Sequence, residues 1–247
     1  EEALDIAVGR LARVRDEHGP SAMAGFGSAK GTNEEAYLVQ KLVRTGFGTN
    51  NVDHCTRLCH ASSVAALLEN IGSGAVTASF AECRNAEAII VIGANPTVNH
   101  PVAATFIKNA AQRGARLYIL DPRGQHLDRF ATESLRFSPG SDVAMLNAMI
   151  NVIITEELYD ADYVAKQTEG FEDLKARTAH TTPEAMAPIC GVDADTLRRV
   201  ARGYATAGSA MIFWGMGISQ HTHGTDNSRC LISVSYTHLR AHETVLH

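Results

Sequence analysis

The sequence Ala86-Glu-Ala-Ile-Ile-Val-Ile-Gly-Ala-Asn-Pro96 is a β-branched apolar run that ends in a turn. An apolar segment with helical spacing, 102–112, leads to a second run, Ala115-Arg-Leu-Tyr-Ile-Leu120, which ends in Asp121-Pro-Arg123. Strand, loop, helix and strand in this order form a βαβ unit, and nearly continuous apolar strands are typical of a parallel sheet covered on both faces. The stretch therefore predicts a Rossmann-like α/β core.

The same alternation of strand and helix extends to both sides of this core. Gly19-Pro20 ends the first predicted helix, and Thr32 or Asn33 can cap the second. Because no repeat or low-complexity linker interrupts the order, we predict an α/β, doubly wound fold with mostly parallel sheets over residues 1–234. Helices are predicted at 2–17, 34–45, 143–155, 158–167 and 195–206, and further strands at 22–26, 134–137 and 210–214.

Composition excludes several classes of protein. The 247 residues are 45% hydrophobic and 20% charged, which is typical of one large or two small globular domains. A net charge of -5 and the lack of a basic run with aromatic residues disfavour nucleic-acid binding. Five cysteines without a CxxC pair indicate a reducing cytoplasm, and neither a membrane-spanning apolar run nor a signal peptide at Glu1-Glu2-Ala3-Leu4 is found.

The loops after the predicted strands are candidate ligand sites, because parallel sheets bind ligands at the carboxyl ends of their strands. Asp121 follows a strand, where a carboxylate can accept hydrogen bonds from ribose hydroxyls. Asp142, in the Pro139-Gly140 turn, could pair its carboxylate with the two adjacent N–H donors of a guanine edge. The alternative is plain turn chemistry at both positions. Since the GxGxxG fingerprint is absent, an ordinary nicotinamide site is not expected.

A thiol and an imidazole are adjacent at Cys59-His60, within Val52-Asp-His-Cys-Thr-Arg-Leu-Cys-His-Ala-Ser-Ser-Val-Ala-Ala-Leu67. A helix appears in the pattern at about this point, and the free amides of a helix N-terminus would stabilise a thiolate as metal ligand or nucleophile. The alternative is that Cys55 and Cys59 are ordinary core cysteines beside a solvated His60. For Cys55 and the three remaining cysteines we expect burial in the core.

Several of these motifs, in this order, resemble the catalytic subunit of molybdenum or tungsten formate dehydrogenases, which belong to the enzymes that bind two molybdopterin guanine dinucleotides. The resemblance covers roughly residues 1–234 and implies an incomplete molybdopterin oxidoreductase fold. The motifs are Gly48-Thr-Asn-Asn-Val-Asp-His-Cys-Thr-Arg-Leu-Cys-His60, Gly93-Ala-Asn-Pro96 with His100-Pro101, Asp121-Pro-Arg123, Pro139-Gly-Ser-Asp142 with Leu146-Asn147-Ala148, and Trp214-Gly-Met-Gly217 with Gln220.

The resemblance also implies roles for individual residues. Cys59 takes the position of the metal ligand, in a sulfur-rich shell suited to Mo or W, and His60 that of the adjacent catalytic histidine, which accepts or relays a proton as formate is oxidised to CO₂. The residues expected to bind the cofactor are Lys30, Gly31, Asn33, Gly93, Asn95, Asp121, Arg123, Gly140, Asp142, Met216, Gly217 and Gln220.

Members of this family carry further parts that the sequence does not contain. A [4Fe–4S] cluster is expected only in a full-length protein, together with electron-transfer subunits or acceptor proteins as partners. We therefore expect a central fragment that is inactive by itself. Residues 235–247 do not continue the family pattern and resemble translated vector or adapter sequence, so a non-native tail is expected there.

Two other functions remain open at this stage. One is a related molybdopterin oxidoreductase of the nitrate reductase type, although nitrate reductases of this family generally lack the Cys-His pair. The other is a non-catalytic, nucleotide-binding α/β module in which Cys59 is only a core thiol.

Overall fold

The computed structural model describes residues 1–75, 78–237 and 241–245, and the chain divides into two compact units, Glu1–Ala61 and Ser62–His247. Within the first unit, a short parallel pair of strands lies among helices, and Met23 and Val43 are its buried apolar side chains. Its elements are α1 (Glu2–His18), a 3₁₀ turn (Pro20–Ala22), β1 (Gly25–Gly27), α2 (Asn33–Lys41), a π-helical continuation (Leu42–Phe47), β2 (Val52–His54) and α3 (Thr56–Cys59).

Helix α2 begins where the sequence predicts, because Thr32 and Glu35 form a capping box. The Glu35 amide donates to Thr32 Oγ1 at 3.3 Å, and the Thr32 amide donates to Glu35 Oε2 at 2.6 Å. Two amides that the helix itself leaves without acceptors are satisfied in this way. Of the two predicted caps, Thr32 is the one used.

The second unit is a parallel sheet between helical layers. Its elements are α4 (Ala61–Ile71), a 3₁₀ turn (Phe80–Arg84), β3 (Ala88–Ile92), α5 (Pro96–Asn99), α6 (Pro101–Gln112), β4 (Arg116–Leu120), a 3₁₀ turn (His126–Phe130), β5 (Glu133–Leu135), α7 (Asp142–Thr155), α8 (Ala161–Gln167), α9 (Phe171–Thr178), α10 (Pro183–Cys190), α11 (Ala194–Ala205), β6 (Ala210–Trp214), α12 (Met216–Ser219), α13 (Gly224–Thr237) and β7 (Ala241–Val245).

The sheet confirms the predicted doubly wound, parallel α/β fold. Its strand order is β5-β4-β3-β6-β7, every neighbouring pair is parallel, and Ile92 at the end of β3 aligns with Leu120 and Trp214. Every residue of β3 is buried, with Ile90 in the cluster on one face and Ile89 in the cluster on the other. Burial on both faces is the reason that β3 is apolar without interruption.

Some predicted elements differ from the structure. The strand expected at 22–26 covers only Gly25–Gly27, because Pro20–Ala22 forms a 3₁₀ turn. The helix expected from 158 starts at Ala161, since Asp160 caps it by accepting from the Tyr163 amide at 3.0 Å. Helices α9 and α10 are not predicted from the sequence. None of the described helices combines the length and the apolar composition that crossing a bilayer requires.

The direction of winding changes at β3. The chain passes from β3 to β4 and β5 on one side, and then places β6 on the other side of β3. At this switch point two loops meet through their backbones, with the Gly217 amide donating to the Gly93 carbonyl at 2.9 Å. A Cβ on Gly93 would lie 2.8 Å from the Gly217 carbonyl carbon, and its φ of 58° lies in the left-handed region. Only glycine fits this position without moving the loops.

We predict that Gly93→Ala lowers the free energy of unfolding more than Gly170→Ala does. Gly170 also has a positive φ, 77°, but nothing lies within 4 Å of its Cβ position. It should therefore lose only the roughly 1–2 kcal/mol of a left-handed alanine. The Gly93 variant adds a backbone clash, for which a further 1–3 kcal/mol is typical of overpacking. Urea unfolding of both variants measures the difference, and equal losses would contradict the close contact.

Candidate functional site

A cavity of about 450 Å³ lies in the second unit at the carboxyl ends of β3, β4 and β6. This is where ligands bind in open parallel sheets, and its size is typical of ligand clefts. Nine of the residues predicted to bind a cofactor lie in its wall, so the structure brings together loops that are far apart in sequence. They are Gly93, Asn95, Asp121, Arg123, Gly140, Asp142, Met216, Gly217 and Gln220.

Asp142 is the electrostatically unusual residue of the cavity. It begins helix α7 and is only 2% exposed, and no group in the described part of the chain hydrogen-bonds to its Oδ2 atom. Burial raises the pKa of this carboxyl, while its backbone hydrogen bond and the charge of His221 act in the opposite direction. A buried carboxylate oxygen without a donor is costly, so this site is suited to a ligand that brings hydrogen-bond donors.

Asp121 serves the turn after β4. Its Oδ1 atom accepts from the amides of Arg123 at 2.8 Å and Gly124 at 2.9 Å, which close the loop. Turn chemistry, the alternative considered from the sequence, is therefore present here. Since both bonds use Oδ1, Oδ2 keeps its capacity to accept from a ligand.

Further polar groups of the cavity wall come from the loops that follow β3 and β4. The Oδ1 atom of Asn95 accepts from the Thr97 hydroxyl at 2.7 Å, so the amide NH₂ of Asn95 remains a donor. Arg123 contributes a guanidinium group to the cavity wall. Gly140 has a φ of 85° and open space at its Cβ position, so no side chain projects into the cavity there. The arrangement combines donors, acceptors and one permanent cation.

Cys59 lies two residues before Ala61, the first residue of α4, so a helix does begin at this point of the chain, as the sequence predicts. Cys59 is the last residue of α3, and its amide donates to the Cys55 carbonyl at 3.0 Å. Burial and the neighbouring Cys55 raise the pKa of the Cys59 thiol, and the Lys30 ammonium opposes them. A free thiolate is thus disfavoured at Cys59, because burial and the neighbouring Cys55 outweigh the Lys30 charge.

The alternative interpretation of this stretch, core cysteines beside a solvated histidine, is wrong in two details. Cys55 is exposed, and its Sγ atom accepts from the Ala29 amide at 3.2 Å, whereas His60 is fully buried. Burial is confirmed for Cys83 and Cys190, and Cys230 is half-buried. A core role for Cys55 and a solvated His60 are therefore both excluded.

The loop that precedes α2 contains three further predicted cofactor residues. Lys30 is close enough to act electrostatically on Cys59, as its effect on the thiol pKa indicates. Gly31 lies beside Glu35, whose Oε2 would be 3.0 Å from a Cβ on this glycine, and the exposed Asn33 is the first residue of α2. Of the three, the structure brings only Lys30 into relation with Cys59, and a cofactor role for the loop stays a prediction.

Sequence reasoning missed several residues of the cavity wall. Asn99 ends the short helix α5, Phe137 follows β5, and Gly215 directly follows β6. The positions of Phe137 and Gly215 just beyond strands were the available signal. His221, in the loop that follows Gln220, also lines the cavity. Within the described ranges, no three His, Cys, Asp or Glu side chains form a set that could hold a metal ion.

Comparisons with known proteins agree with this architecture. A family model for molybdopterin oxidoreductases matches residues 1–239. Formate dehydrogenase H of Escherichia coli (strain K12) is 42% identical over 236 residues, covering 95% of this chain and 33% of the relative. A nitrate reductase of Symbiobacterium thermophilum is 36% identical over 236 residues, covering 91% and 31%. The solved acetylene hydratase from Pelobacter acetylenicus has a TM-score of 0.78 at 26% identity, covering 97% of this chain and 33% of that chain.

The chain spans about one third of the length of these relatives. The family model and the solved structure each cover nearly all residues of this chain. Its parallel sheet, wound in both directions from β3, is part of the similarity that the structural comparison measures. We conclude that the chain belongs to the molybdopterin oxidoreductase family.

Proposed function

We propose that this chain is part of the catalytic subunit of a formate dehydrogenase that oxidises formate to CO₂. The observation that carries the proposal is the Cys59-His60 pair, in a chain that is 42% identical to formate dehydrogenase H of Escherichia coli. Family membership implies a molybdopterin cofactor with Mo or W. The guanine dinucleotide form, two copies of it, and the residues that bind it are part of the proposal.

The cavity wall fits the guanine end of such a cofactor. Asp142 presents a buried oxygen without a donor, and a guanine edge carries two adjacent donors, N1–H and the N2 amino group. Adenine offers no such pair, so the carboxylate would select guanine. The close backbone contact of Gly93 and Gly217 leaves a wall without side chains, which a flat or bulky ligand can approach.

The other polar residues of the wall have chemistry suited to the rest of the nucleotide. Asp121 Oδ2 can accept from ribose hydroxyls, and the Arg123 guanidinium can neutralise phosphate oxygens. Gly140 gives the ligand access beside Asp142, while Met216 and Gln220 would line the pterin. Lys30, Gly31 and Asn33 are also proposed as cofactor-binding residues.

Cys59 is proposed as the protein's ligand to the metal. When bound, the cofactor supplies a metal centre that takes up two electrons from formate. Thiolate binding to the metal offsets the burial that disfavours the free thiolate, because a coordinated thiol loses its proton. The Lys30 charge favours the same deprotonated form. His60 would accept the proton released from formate and pass it on.

The proposal extends to the surroundings of the catalytic subunit. We propose a [4Fe–4S] cluster in the full-length protein, electron-transfer subunits or acceptor proteins as partners, and a cytoplasmic location, which the five free cysteines support. We also retain 1–234 as the family region and 235–247 as a non-native tail. Thr237 ends α13 and β7 lies beside β6, while residues 238–240 and 246–247 are outside the described part.

We predict that the chain binds GDP more tightly than ADP and that Asp142→Asn abolishes the preference. The variant amide places a donor against the donors of guanine, and hydrogen bonds to a charged group are typically worth about 1.5–3 kcal/mol. The expected loss of GDP affinity is therefore about 10- to 150-fold, with ADP unchanged. IDP, which lacks the N2 amino group, is the matched ligand and should lose part of the affinity in the wild type. Calorimetric titration measures all three, and equal GDP affinity in both proteins would contradict the assignment.

The same substitution should stabilise the protein without ligand. Because burial raises the pKa of Asp142 in the folded state, its contribution to stability is fully present below the unfolded pKa and is lost as pH rises through the folded pKa. Asp142→Asn removes this loss, so the variant should be more stable than the wild type at neutral pH and nearly equal to it at acid pH. Urea unfolding across this pH range measures the effect, and a destabilised variant at neutral pH would argue against it.

We predict that Cys59→Ser in the full-length protein lowers formate-dependent dye reduction by at least about 100-fold, since groups that only support a metal ligand already contribute 10–100-fold. Cys55→Ser is the matched control, one helical turn earlier, and should keep most of the activity. Unchanged activity of Cys59→Ser would favour the non-catalytic nucleotide-binding module. Comparing formate with nitrate turnover distinguishes the proposal from the nitrate reductase alternative, which the relative of Symbiobacterium thermophilum supports less strongly at 36% identity.

A further inference from the structure

A cluster of buried hydroxyl groups surrounds Ser63, the third residue of α4. Its Oγ atom accepts from the Trp214 indole N–H at 2.9 Å, and it lies 2.6 Å from Ser219 Oγ and 3.2 Å from Ser228 Oγ. All four side chains are at most 4% exposed. One hydroxyl on α4 therefore joins the end of β6, the end of α12 and the first turns of α13.

Counting donors fixes the direction of these bonds. The Ser228 hydroxyl donates to the Gly224 carbonyl at 2.9 Å, so its only proton is used and it must accept from Ser63. The Ser63 proton is used in that bond, so Ser219 is the donor to Ser63. The order is a chain from Ser219 through Ser63 and Ser228 to the Gly224 carbonyl, in which Ser63 accepts twice and donates once.

The hydrogen bonds of the cluster hold both ends of the loop between β6 and α13, at Trp214 and at Ser219. Close to it, the side-chain NH₂ group of Asn227 donates to the Ile218 carbonyl at 3.1 Å, and a Cβ on Gly224 would meet the Ser219 carbonyl oxygen. On its other side the same loop forms the cavity wall, with Gly217 bonded to the Gly93 carbonyl. The loop thus lies between the cavity and a buried polar anchor.

We propose that Ser63 is a positioning residue that holds the loop 215–220 in the conformation that accepts the cofactor. This inference rests on the proposed function, because Met216, Gly217 and Gln220 are the loop residues assigned to the pterin. The hydrogen bonds described for Ser63 go to Trp214, Ser219 and Ser228, and none of these three is assigned to the pterin. Ser63 acts through Trp214 before the loop and Ser219 at the end of α12, and its loss would leave the indole N–H without its acceptor in an apolar core.

A polar anchor suits this task better than an apolar one. Apolar contacts of similar volume tolerate sliding and repacking, whereas three directional bonds converging on one oxygen define a single position for the groups that make them. The loop carries only short helix α12, four residues long, so its conformation cannot be set by helical hydrogen bonds alone.

The test uses the full-length protein with three substitutions of Ser63. Ser63→Ala removes the hydroxyl, Ser63→Cys keeps nearly the same volume with a weak hydrogen-bonding group, and Ser63→Thr keeps the hydroxyl. Metal and acid-released GMP are measured per folded chain, together with KM for formate and kcat per metal. Ser62→Ala, at the neighbouring half-buried serine, is the matched control.

We expect the Ala and Cys variants to hold on the order of tenfold less GMP and metal per chain, since leaving one buried donor unpaired costs about that factor in an equilibrium constant. The Thr variant should recover much of the content, and Ser62→Ala should match the wild type. In every variant, KM and kcat per metal should stay the same, because the loaded molecules are intact. Loss through global destabilisation would instead lower the urea midpoint without changing the cofactor content of folded chains.

Other results overturn the inference in distinguishable ways. If the wild type releases GMP and the Ala and Cys variants hold the same amount, the positioning role is wrong while the proposed function stands. If the wild type itself releases no GMP, the proposed function fails and the inference fails with it. Should Ser63→Ala not fold, Ser219→Ala removes the hydroxyl on the loop side, and failure of both to fold would assign the cluster to the core alone.

Discussion

The backbone contact between Gly93 and Gly217 is the constraint on which the cavity depends. The two loops that carry these glycines follow the adjacent strands β3 and β6, and one hydrogen bond of 2.9 Å joins them. Any side chain at Gly93 would separate them, since its Cβ would lie 2.8 Å from the backbone of Gly217. Their approach brings the strand ends together and leaves the space above β3, β4 and β6 open to a ligand.

The hydrophobic pattern of the sequence predicts the strands that are buried on both faces and the helices that are buried on one face. Strands β3, β4 and β6 are apolar because both faces of the sheet are covered, and the limits of β6 agree with the prediction. Helices α9 and α10 are short, and Pro188 lies inside α10, so local propensity disfavours a helix where packing produces one. Their existence depends on contacts with α7 that no local window contains.

The residues of the candidate site also fall into those that the sequence predicts and those that it does not. Asp121, directly after β4, and Asp142, at the start of the helix that follows β5, could be placed because the ends of parallel strands converge. The state of Cys59 could not, because its pKa depends on how deeply the thiol is buried and on Lys30, which is distant in sequence. Ser63 was also missed, since its partners lie more than 150 residues away and a serine in the first turn of a helix resembles a simple cap.

Trp214 gives this architecture a natural optical reporter. It is the single tryptophan among the 247 residues, it is fully buried, and its indole is fixed by Ser63 directly before cavity residue Gly215. A dry, hydrogen-bonded indole emits at a shorter wavelength than a hydrated one. Tryptophan fluorescence of this chain therefore arises from one place, directly before the cavity wall, and an aromatic ligand that absorbs in the near ultraviolet would quench it by energy transfer.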